Sequence, residues 1–408
     1  MGFRFVLFIC AFFSAFFAFA GVPRPVELAD ILAWKGAAVS SDGRWFAYQA
    51  VPTEGDGTVV VRSLADGKEQ RDAIGDGMGR GPVFSDDGKW VALAVHPTTK
   101  EGKALRKQKK APQRKAVLLE LATGKKTEFE KIRGFAFNGE AATHLALHRY
   151  GAEGPAAPPA AAGPGATPSN RPMGADLLLV ELASGQQLNF GNVSEYEFDK
   201  KGTSLAFVID AQDQAGNGVQ WRDMKTGAVL PVDSARAWYK GLTWTEKGDA
   251  LAVVRGVEDK GYEDKLYTVV GAKLGAGGIV EKVTFDPKTA GELTASANRA
   301  PYWMDDLSAV VFGVVEPKKK KAGKGEEKKD EPKKEDDAEQ PDLVLWHFFD
   351  KRLPAMQQVK ETQDKNFSYV ALYRPAEQKF VRLADETMRT VRVNAQSQWA
   401  VGGGYPGL

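Results

Sequence analysis

The side chains that could carry chemistry in this sequence are, first, its four histidines. They are His96, His144, His148 and His347. His144 and His148 lie four residues apart, a spacing that would bring two zinc ligands together on a helix. They flank L-A-L on a predicted strand, where residues four apart share a face but lie about 13 Å apart. We therefore predict no zinc pair here, and we interpret His347, between Trp346 and Phe348, as a structural histidine.

A second group of candidates consists of aspartates between apolar runs. They are Asp42, Asp86, Asp87, Asp305 and Asp306. Aspartate side chains cap turns by accepting hydrogen bonds from nearby backbone amides. Acid–base catalysis by paired carboxylates would need an adjoining pocket, and no segment predicts one. We interpret these aspartates as turn-forming residues.

The remaining motifs are incomplete. Asp210–Gly218 has the residue types of a calcium loop but lacks the glutamate at the twelfth position of an EF-hand. The G-G-G run at Gly402–Gly404 does not join a strand to a helix, as a phosphate-binding loop would. The G-x-S-x-G nucleophile turn of α/β-hydrolases is absent from the sequence. We predict no catalytic, cofactor-binding or metal-binding residue in the chain, and no cofactor.

The turns belong to an internal repeat. F-S-D-D-G-K-W-V-A-L, starting at Phe84, places an aspartate–glycine turn between two apolar runs, with Trp90 as a packing residue and His96 leading into a longer segment. Related segments recur, at the closest spacing after about 45 residues. The copies start at Val39, Phe84, Phe137, Phe198, Trp244, Trp303 and Val393.

Each copy continues into a second β-rich hairpin. Examples are Val59–Lys68, Val117–Lys126 and Leu177–Gln186, where apolar runs end at a D-G, T-G or S-G pair. Such pairs are typical of hairpin turns. Four short antiparallel strands every 45 residues or so describe a β-propeller blade. We predict an all-β chain with about six blades and an incomplete seventh.

The N-terminus has the pattern of an export signal. Arg4 precedes an apolar run from Phe5 to Ala20, which ends in a small-x-small cleavage pattern before Gly21. We predict a signal peptide over 1–20, a propeller domain over 21–408, and a periplasmic or secreted protein with no stable membrane span after cleavage. Cys10, the one cysteine, would leave with the signal.

Three insertions interrupt the repeat at one position of the blade. They cover about 98–115, 151–174 and 316–342, each between the second and third strands, and we predict mostly disordered loops. These loops could gate access or bind a partner, or they could be tolerated low-complexity insertions without a function. The first is basic, which suits an acidic partner or an anionic membrane surface as well as a solvated charge run. A polar helix is predicted to start near Pro354, after the third insertion.

The mature chain resembles the N-terminal propeller of exported bacterial prolyl-oligopeptidase-family serine peptidases. The resemblance rests on Glu27–Lys35, on the repeats, and more specifically on Leu343–Leu353 and Asn366–Arg374. It implies a propeller that admits short peptides to a C-terminal hydrolase domain with serine, aspartate and histidine. The 408 residues contain no counterpart of that domain, so we expect no catalytic residue to carry over. We expect a truncated product, a fragment or half of a split protein, with an open seam and marginal stability.

Two functions therefore stay open. The first is a substrate-gating propeller of a prolyl-oligopeptidase-like peptidase, catalytically incomplete and inactive alone, with peptide substrates reached through the missing domain. The second is a non-enzymatic periplasmic propeller, similar to that of the Tol system, that binds a protein partner. Nucleic-acid binding has no support, because the formal net charge is only +2 and basic and aromatic residues do not interleave.

Overall fold

The computed structural model describes residues 32–76, 80–151, 174–275, 277–320, 353–396 and 399–403. The chain forms two compact units, which are described separately below. Unit 1 consists of Met1–Phe84 and Gly88–Glu130, and unit 2 of Ser85–Asp87 and Lys131–Leu408. The predicted signal peptide over 1–20, most of the insertions over 151–174 and 316–342, and His347 lie outside the described residues. The domain boundaries 21–408 stay a prediction.

Unit 1 contains two four-stranded antiparallel sheets, each with its strands in chain order. The strands of the first sheet are β1 (Leu32–Val39), β2 (Trp45–Pro52), β3 (Gly57–Ser63) and β4 (Glu69–Gly75). The strands of the second are β5 (Val83–Phe84), β6 (Trp90–Val95), β7 (Lys115–Glu120) and β8 (Lys126–Phe129). Alternate side chains of both sheets form one buried cluster that includes Val59, Ile74, Leu93 and Leu119. Burial alternates along β2, whereas β6 and β7 are each buried over four consecutive residues, so side chains on both of their faces are buried.

Unit 2 begins with a seven-stranded antiparallel sheet and a four-stranded one. The first contains β9 (Ile132–Phe137), β10 (His144–Arg149), β11 (Ala175–Glu181), β12 (Gln187–Phe198), β13 (Ser204–Ile209), β14 (Gly218–Asp223) and β15 (Val229–Ser234). The second contains β16 (Trp238–Trp244), β17 (Ala250–Val257), β18 (Leu266–Gly275) and β19 (Gly278–Phe285). Val208, Val219, Leu251 and Val270 join the two sheets in one buried cluster.

Two further sheets complete the described part of unit 2. One contains β20 (Thr294–Ala295) and β21 (Tyr302–Trp303), both paired with β22 (Val310–Val315), followed by β23 (Tyr369–Arg374) and β24 (Lys379–Arg382). The other is a hairpin of β25 (Thr390–Val393) and β26 (Ala400–Gly403). Phe285 and Phe312 lie in the cluster between the sheet of β16–β19 and that of β20–β24.

All seven repeat copies form first hairpins, and their starting residues occupy equivalent positions. Each starting residue faces a residue seven or eight positions later on the following strand. The pairs are Val39 with Phe46, Phe84 with Val91, Phe137 with Leu145, Phe198 with Leu205, Trp244 with Leu251, Trp303 with Val310, and Val393 with Ala400. The succession of four-stranded antiparallel sheets confirms the predicted all-β, propeller-type fold. The number of blades stays a prediction.

One strand serves two repeats. The first half of β12 pairs with β11, and its second half pairs with β13, with a register shift between Val193 and Glu195. Two four-stranded repeats are thereby joined into the seven-stranded sheet. Gly191-Asn192 is a turn-type pair and Asn192 is left-handed, with φ +58°, yet the chain continues as one strand and bends at the irregularity.

A left-handed residue closes each first-hairpin turn that the structure describes in full. Gly202 has φ +73°, and in the copy that starts at Trp303 the equivalent residue, Leu307, has φ +56°. Glycine adopts this conformation without a Cβ clash, whereas leucine does so at a cost. The tight turn is thus kept where the glycine is replaced.

The structure corrects the expectation for 98–115. The first part of this insertion is a helix, α1 (Thr99–Lys107), rather than a disordered loop. A capping box begins this helix. The Thr98 side chain accepts a hydrogen bond from the Glu101 amide, and the Glu101 side chain accepts one from the Thr98 amide. The strand order confirms that all three insertions lie between second and third strands. The predicted polar helix is also confirmed, as α2 (Pro354–Lys365).

Candidate functional site

The described residues of unit 2 form a cleft of about 1290 Å³. Its walls are the β17–β18 loop, the segment after β20 and the segment after β22, and the end of α2 closes one side. Tyr262, Tyr267 and Phe367 supply its aromatic surface. The cleft therefore lies at the end of the sheets where second strands connect to third strands.

A short backbone ladder holds the two walls together. The Glu263 amide donates to the Lys318 carbonyl at 2.8 Å, and the Lys320 amide donates to the Gly261 carbonyl at 2.9 Å. An antiparallel bridge joins Tyr262 to Lys319 between these two bonds. The beginning of the third predicted insertion is therefore ordered by pairing with the β17–β18 loop.

The floor of the cleft is fixed by hydrogen bonds from β20. The Tyr267 amide donates to Thr294 Oγ1 at 2.6 Å, and the Ser296 amide donates to the Gly313 carbonyl at 2.8 Å. Thr294 and Ser296 are buried. Burial also raises the pKa of the Tyr267 phenol, so this ring is a neutral wall at any physiological pH.

The lining carries both charges in nearly equal number. Lys265 lies over the ring of Trp238, with its ammonium 4.1 Å from the ring centroid, and so is held at the rim by a cation–π contact. The carboxylates are Glu258, Asp259, Glu263, Asp264 and Glu316, and the ammonium groups are those of Lys240, Lys260, Lys265, Lys318, Lys320 and Lys365. Such a cleft can bind a ligand that carries both an ammonium group and a carboxylate.

A buried ion cluster stands behind one wall. Asp233, only 4% exposed, accepts a hydrogen bond from Tyr239 Oη at 2.8 Å and lies 3.1 Å from Arg255 Nη1. The Lys282 ammonium also binds it. Burial alone would raise the pKa of Asp233, but the hydrogen bonds from Lys282 and Tyr239 and the Arg255 charge outweigh burial and lower it. The cluster links β15 to β16, β17 and β19, and its Tyr239 precedes Lys240 of the lining.

Two glutamates of β12 form a further electrostatic feature of unit 2. Glu195 Oε2 accepts from the amides of Gly241 and Leu242, at 2.8 and 3.1 Å. Glu197 reaches solvent, yet the surrounding protein removes enough water to raise its pKa, and the neighbouring Glu195 raises it further, to about 7. Glu197 is therefore half-protonated near neutral pH.

The predicted turn aspartates lie in turns. Asp42 Oδ1 accepts from Ser40 Oγ at 2.6 Å and from the Arg44 amide, and these bonds lower the pKa of Asp42. Asp306 accepts from the hydroxyl and the amide of Ser308 in the same way. Ser85 Oγ donates to Asp87, and Asp86 and Asp305 belong to the same type of turn.

The three histidines that the structure describes lie apart from the cleft lining. His148 is buried on β10 and donates from Nε2 to the Val193 carbonyl at 2.8 Å, while Nδ1 of His144 lies 2.9 Å from Thr143 Oγ1. His96 follows β6, with Nδ1 3.6 Å from Asp76. Burial lowers the pKa of all three imidazoles.

The calcium-type loop Asp210–Gly218 is closed on itself. The Asn217 amide group donates to Asp210 Oδ1 at 3.3 Å and to the Ala237 carbonyl at 2.9 Å, while its oxygen accepts from the Ala211 amide. Gly402 and Gly403 lie on β26, and Gly404 is outside the described residues. Among the described residues no cluster of three or more potential ligands could hold a metal ion.

Sequence reasoning missed the cleft. Its clearest signal was the tripeptide E-D-K, which occurs twice around Gly261-Tyr262, at Glu258–Lys260 and Glu263–Lys265. Alternating charges around an aromatic residue in a loop indicate a binding surface. Most of the other lining residues come from segments about 30 to 100 positions further along the chain, and Lys240 lies about 20 positions earlier, so only the fold brings them together.

The comparisons with known proteins return solved structures only. No family model and no curated protein matches the chain. The β-propeller domain of the trilobed protease from Pyrococcus furiosus is similar at 10% identity and a TM-score of 0.34, with 90% of this chain and 88% of that one covered. An oligogalacturonate lyase in complex with manganese matches at 12% identity and a TM-score of 0.35, with 68% and 72% covered.

An acylaminoacyl peptidase from Pyrococcus horikoshii is similar at 11% identity and a TM-score of 0.33. The match covers 71% of this chain and 44% of the peptidase, so the chain spans less than half of that protein. Likenesses this low do not distinguish one function from another. Separately, no helix among the described residues is both long and apolar enough to cross a membrane.

Proposed function

We propose that the chain is a peptide-admitting propeller module of the kind that prolyl-oligopeptidase-type serine peptidases carry, and that it is inactive alone. The observation that carries the proposal is the cleft of unit 2, with its mixed charges and three aromatic rings. Its volume of about 1290 Å³ exceeds the roughly 300–1,000 Å³ of most small-molecule sites. It is too small for a folded domain, so a short extended peptide fits it best.

The lining offers each part of such a peptide a partner. A terminal carboxylate would pair with lysines such as Lys265 and Lys318, and a terminal ammonium with Asp259 or Glu263. Apolar side chains would pack on Tyr262. Exposed pairs of this kind contribute only about 0–1 kcal/mol each, so we expect weak, broadly selective binding.

Fluorescence anisotropy with a labelled alanine- and proline-containing hexapeptide tests the proposal. The double variant Tyr262→Ala, Phe367→Ala should weaken binding at least fivefold, because it removes the exposed aromatic surface of the cleft. Trp399→Ala is the matched control, since Trp399 is an exposed aromatic residue on the β25–β26 connection. Equal binding by all three proteins, or none by the wild type, would refute the cleft as the peptide site.

A hydrolysis assay tests the second half of the proposal. Among the described residues the lining contains no histidine or cysteine, and the hydroxyl of its buried serine, Ser296, accepts a hydrogen bond from the Asn298 amide at 3.2 Å. A nucleophilic serine needs an adjacent base. We therefore expect no cleavage of proline-containing or alanine-rich reporter peptides, and cleavage above background would overturn this expectation.

One observation favours the alternative function, a protein-interaction platform in the periplasm. Within the described residues β26 pairs with β25 alone, and Trp399 just before β26 and Val401 on it are 82% and 73% exposed. If a partner adds a strand there, Val401→Lys should block its binding, and the double variant Tyr262→Ala, Phe367→Ala should leave its binding unchanged. The opposite pattern would favour the peptide cleft. The predicted export is tested by fractionating cells that express the full chain.

A further inference from the structure

Helix α1 and the turn that follows it carry a concentrated positive charge in unit 1. We call this surface the basic ridge, and all its cations are exposed. Within the described residues none of them forms an ion pair. The basic ridge consists of Lys100, Lys103, Arg106, Lys107, Lys109 and Lys110.

The ridge is held in a defined conformation. Asp56, in the turn between β2 and β3, accepts from the amide and the hydroxyl of Thr99 at 2.6 and 2.8 Å. At the other end, the Lys109 and Lys110 amides donate to the carbonyls of Arg106 and Leu105, at 3.0 and 2.9 Å. This pattern is a Schellman cap. The charges are therefore presented by an ordered helix rather than by a flexible loop.

Helix stability does not explain the charges at the beginning of α1. Cations are favourable near the C-terminus of a helix, which accounts for Arg106 and Lys107, but unfavourable in the first turn, where Lys100 lies. Lys100, Lys103 and Lys107 also share one face at spacings of three and four, where like charges repel. The one acid within α1, Glu101, is engaged in the capping box, and Asp56 beside it binds Thr99. A polyanion would relieve this repulsion.

We propose that the basic ridge is a docking surface for an acidic, extended polypeptide segment. Its cations follow one another along the helix axis at steps of about 4.5–6 Å, close to the roughly 7 Å between alternate side chains of an extended chain. A membrane surface fits less well, because interfacial helices bury large apolar residues. In α1 the only large apolar residue is Leu105, which is half-buried. This inference does not rest on the peptide cleft of unit 2.

Anisotropy titration of the full chain with a labelled peptide of alternating glutamate and alanine, ten residues long, tests the proposal. Replacing Lys100, Lys103, Lys107 and Lys110 by glutamine should weaken binding at least tenfold at low salt, because it removes four of the six cations of the basic ridge. The matching arginine substitutions should retain it. Control substitutions of exposed lysines elsewhere, Lys125, Lys201, Lys225 and Lys379, by glutamine remove the same charge and should change binding less than twofold.

Three results would overturn the proposal. One is no binding of the acidic peptide by the wild type, and another is an equal loss in the control variant, which would indicate a net-charge effect. The third is co-sedimentation with phosphatidylglycerol vesicles without peptide binding, which would assign the ridge to a lipid surface. Circular dichroism of each variant shows that a loss of binding is not a loss of fold.

Discussion

At the residue scale, Gly202 shows how tightly the first-hairpin turns of unit 2 approach one another. A Cβ at Gly202 would lie 1.6 Å from the carbonyl oxygen of buried Asn138, whereas one at Gly185, with the same φ of +73°, would meet nothing within 4 Å. Gly185→Ala should therefore cost about 1 kcal/mol, for the left-handed backbone alone. Gly202→Ala should cost about 2–4 kcal/mol, because the strain of overpacking is added. Urea unfolding measures both, and equal losses would contradict the close approach.

Glu197 gives unit 2 a pH dependence of known sign. Its pKa of about 7 in the folded chain lies above the ordinary value of 4.5, so the folded state binds this proton more tightly. Its contribution to stability is present below pH 4.5 and is lost as the pH rises to about 7. Glu197→Gln should flatten this decline in a series of thermal melts. Glu292→Gln is the control, because its pKa is lowered by Lys319 and its contribution is lost in the opposite direction, as the pH falls.

At the scale of single elements, the C-terminal cap of α1 has a lysine at the position where glycine is usual. Lys109 occupies the left-handed position of the Schellman cap, with φ +57°, where glycine is preferred. Lys109→Gly should stabilise the helix by about 0.5–1 kcal/mol. Lys107→Gly removes the same charge from within the helix and should destabilise it by about 1 kcal/mol. Hydrogen exchange of the Leu105–Gln108 amides measures both, and changes of the same sign would contradict the cap.

The elements differ in how far the sequence predicts them. The first hairpins are predicted to the residue, because the aspartate–glycine turn and the alternating apolar residues act within ten positions. The joining of two repeats through β12 is not predictable from Gln187–Phe198, since tertiary packing decides whether this segment forms one bent strand or two separate strands. Disorder was wrongly predicted for α1 because five of its nine residues are charged, although Thr98 and Glu101 carry the capping box. The cleft depends on contacts between distant segments, which no local pattern contains.

At the scale of the whole molecule, the sheets differ in how well their edges are protected. Val401 occupies the position that Ala206, Ala252 and Val311 occupy in other copies, and those residues are buried to 1% exposure or less. The difference is that β26 has no third strand beside it within the described residues. Its sequence, A-V-G-G, also lacks the charged residues that keep exposed edges from pairing with other chains.

This edge predicts concentration-dependent association of the isolated chain. Val401→Lys should reduce the association seen by light scattering, because a lysine at a free edge opposes strand addition. Val280→Lys is the matched control, since Val280 on β19 is equally exposed, at 74%, but already lies beside Glu281 and Lys282. We expect it to leave association unchanged. A wild-type chain that stays monomeric and melts cooperatively at high temperature would contradict this prediction, because the backbone groups of the β26 edge would then already have hydrogen-bond partners.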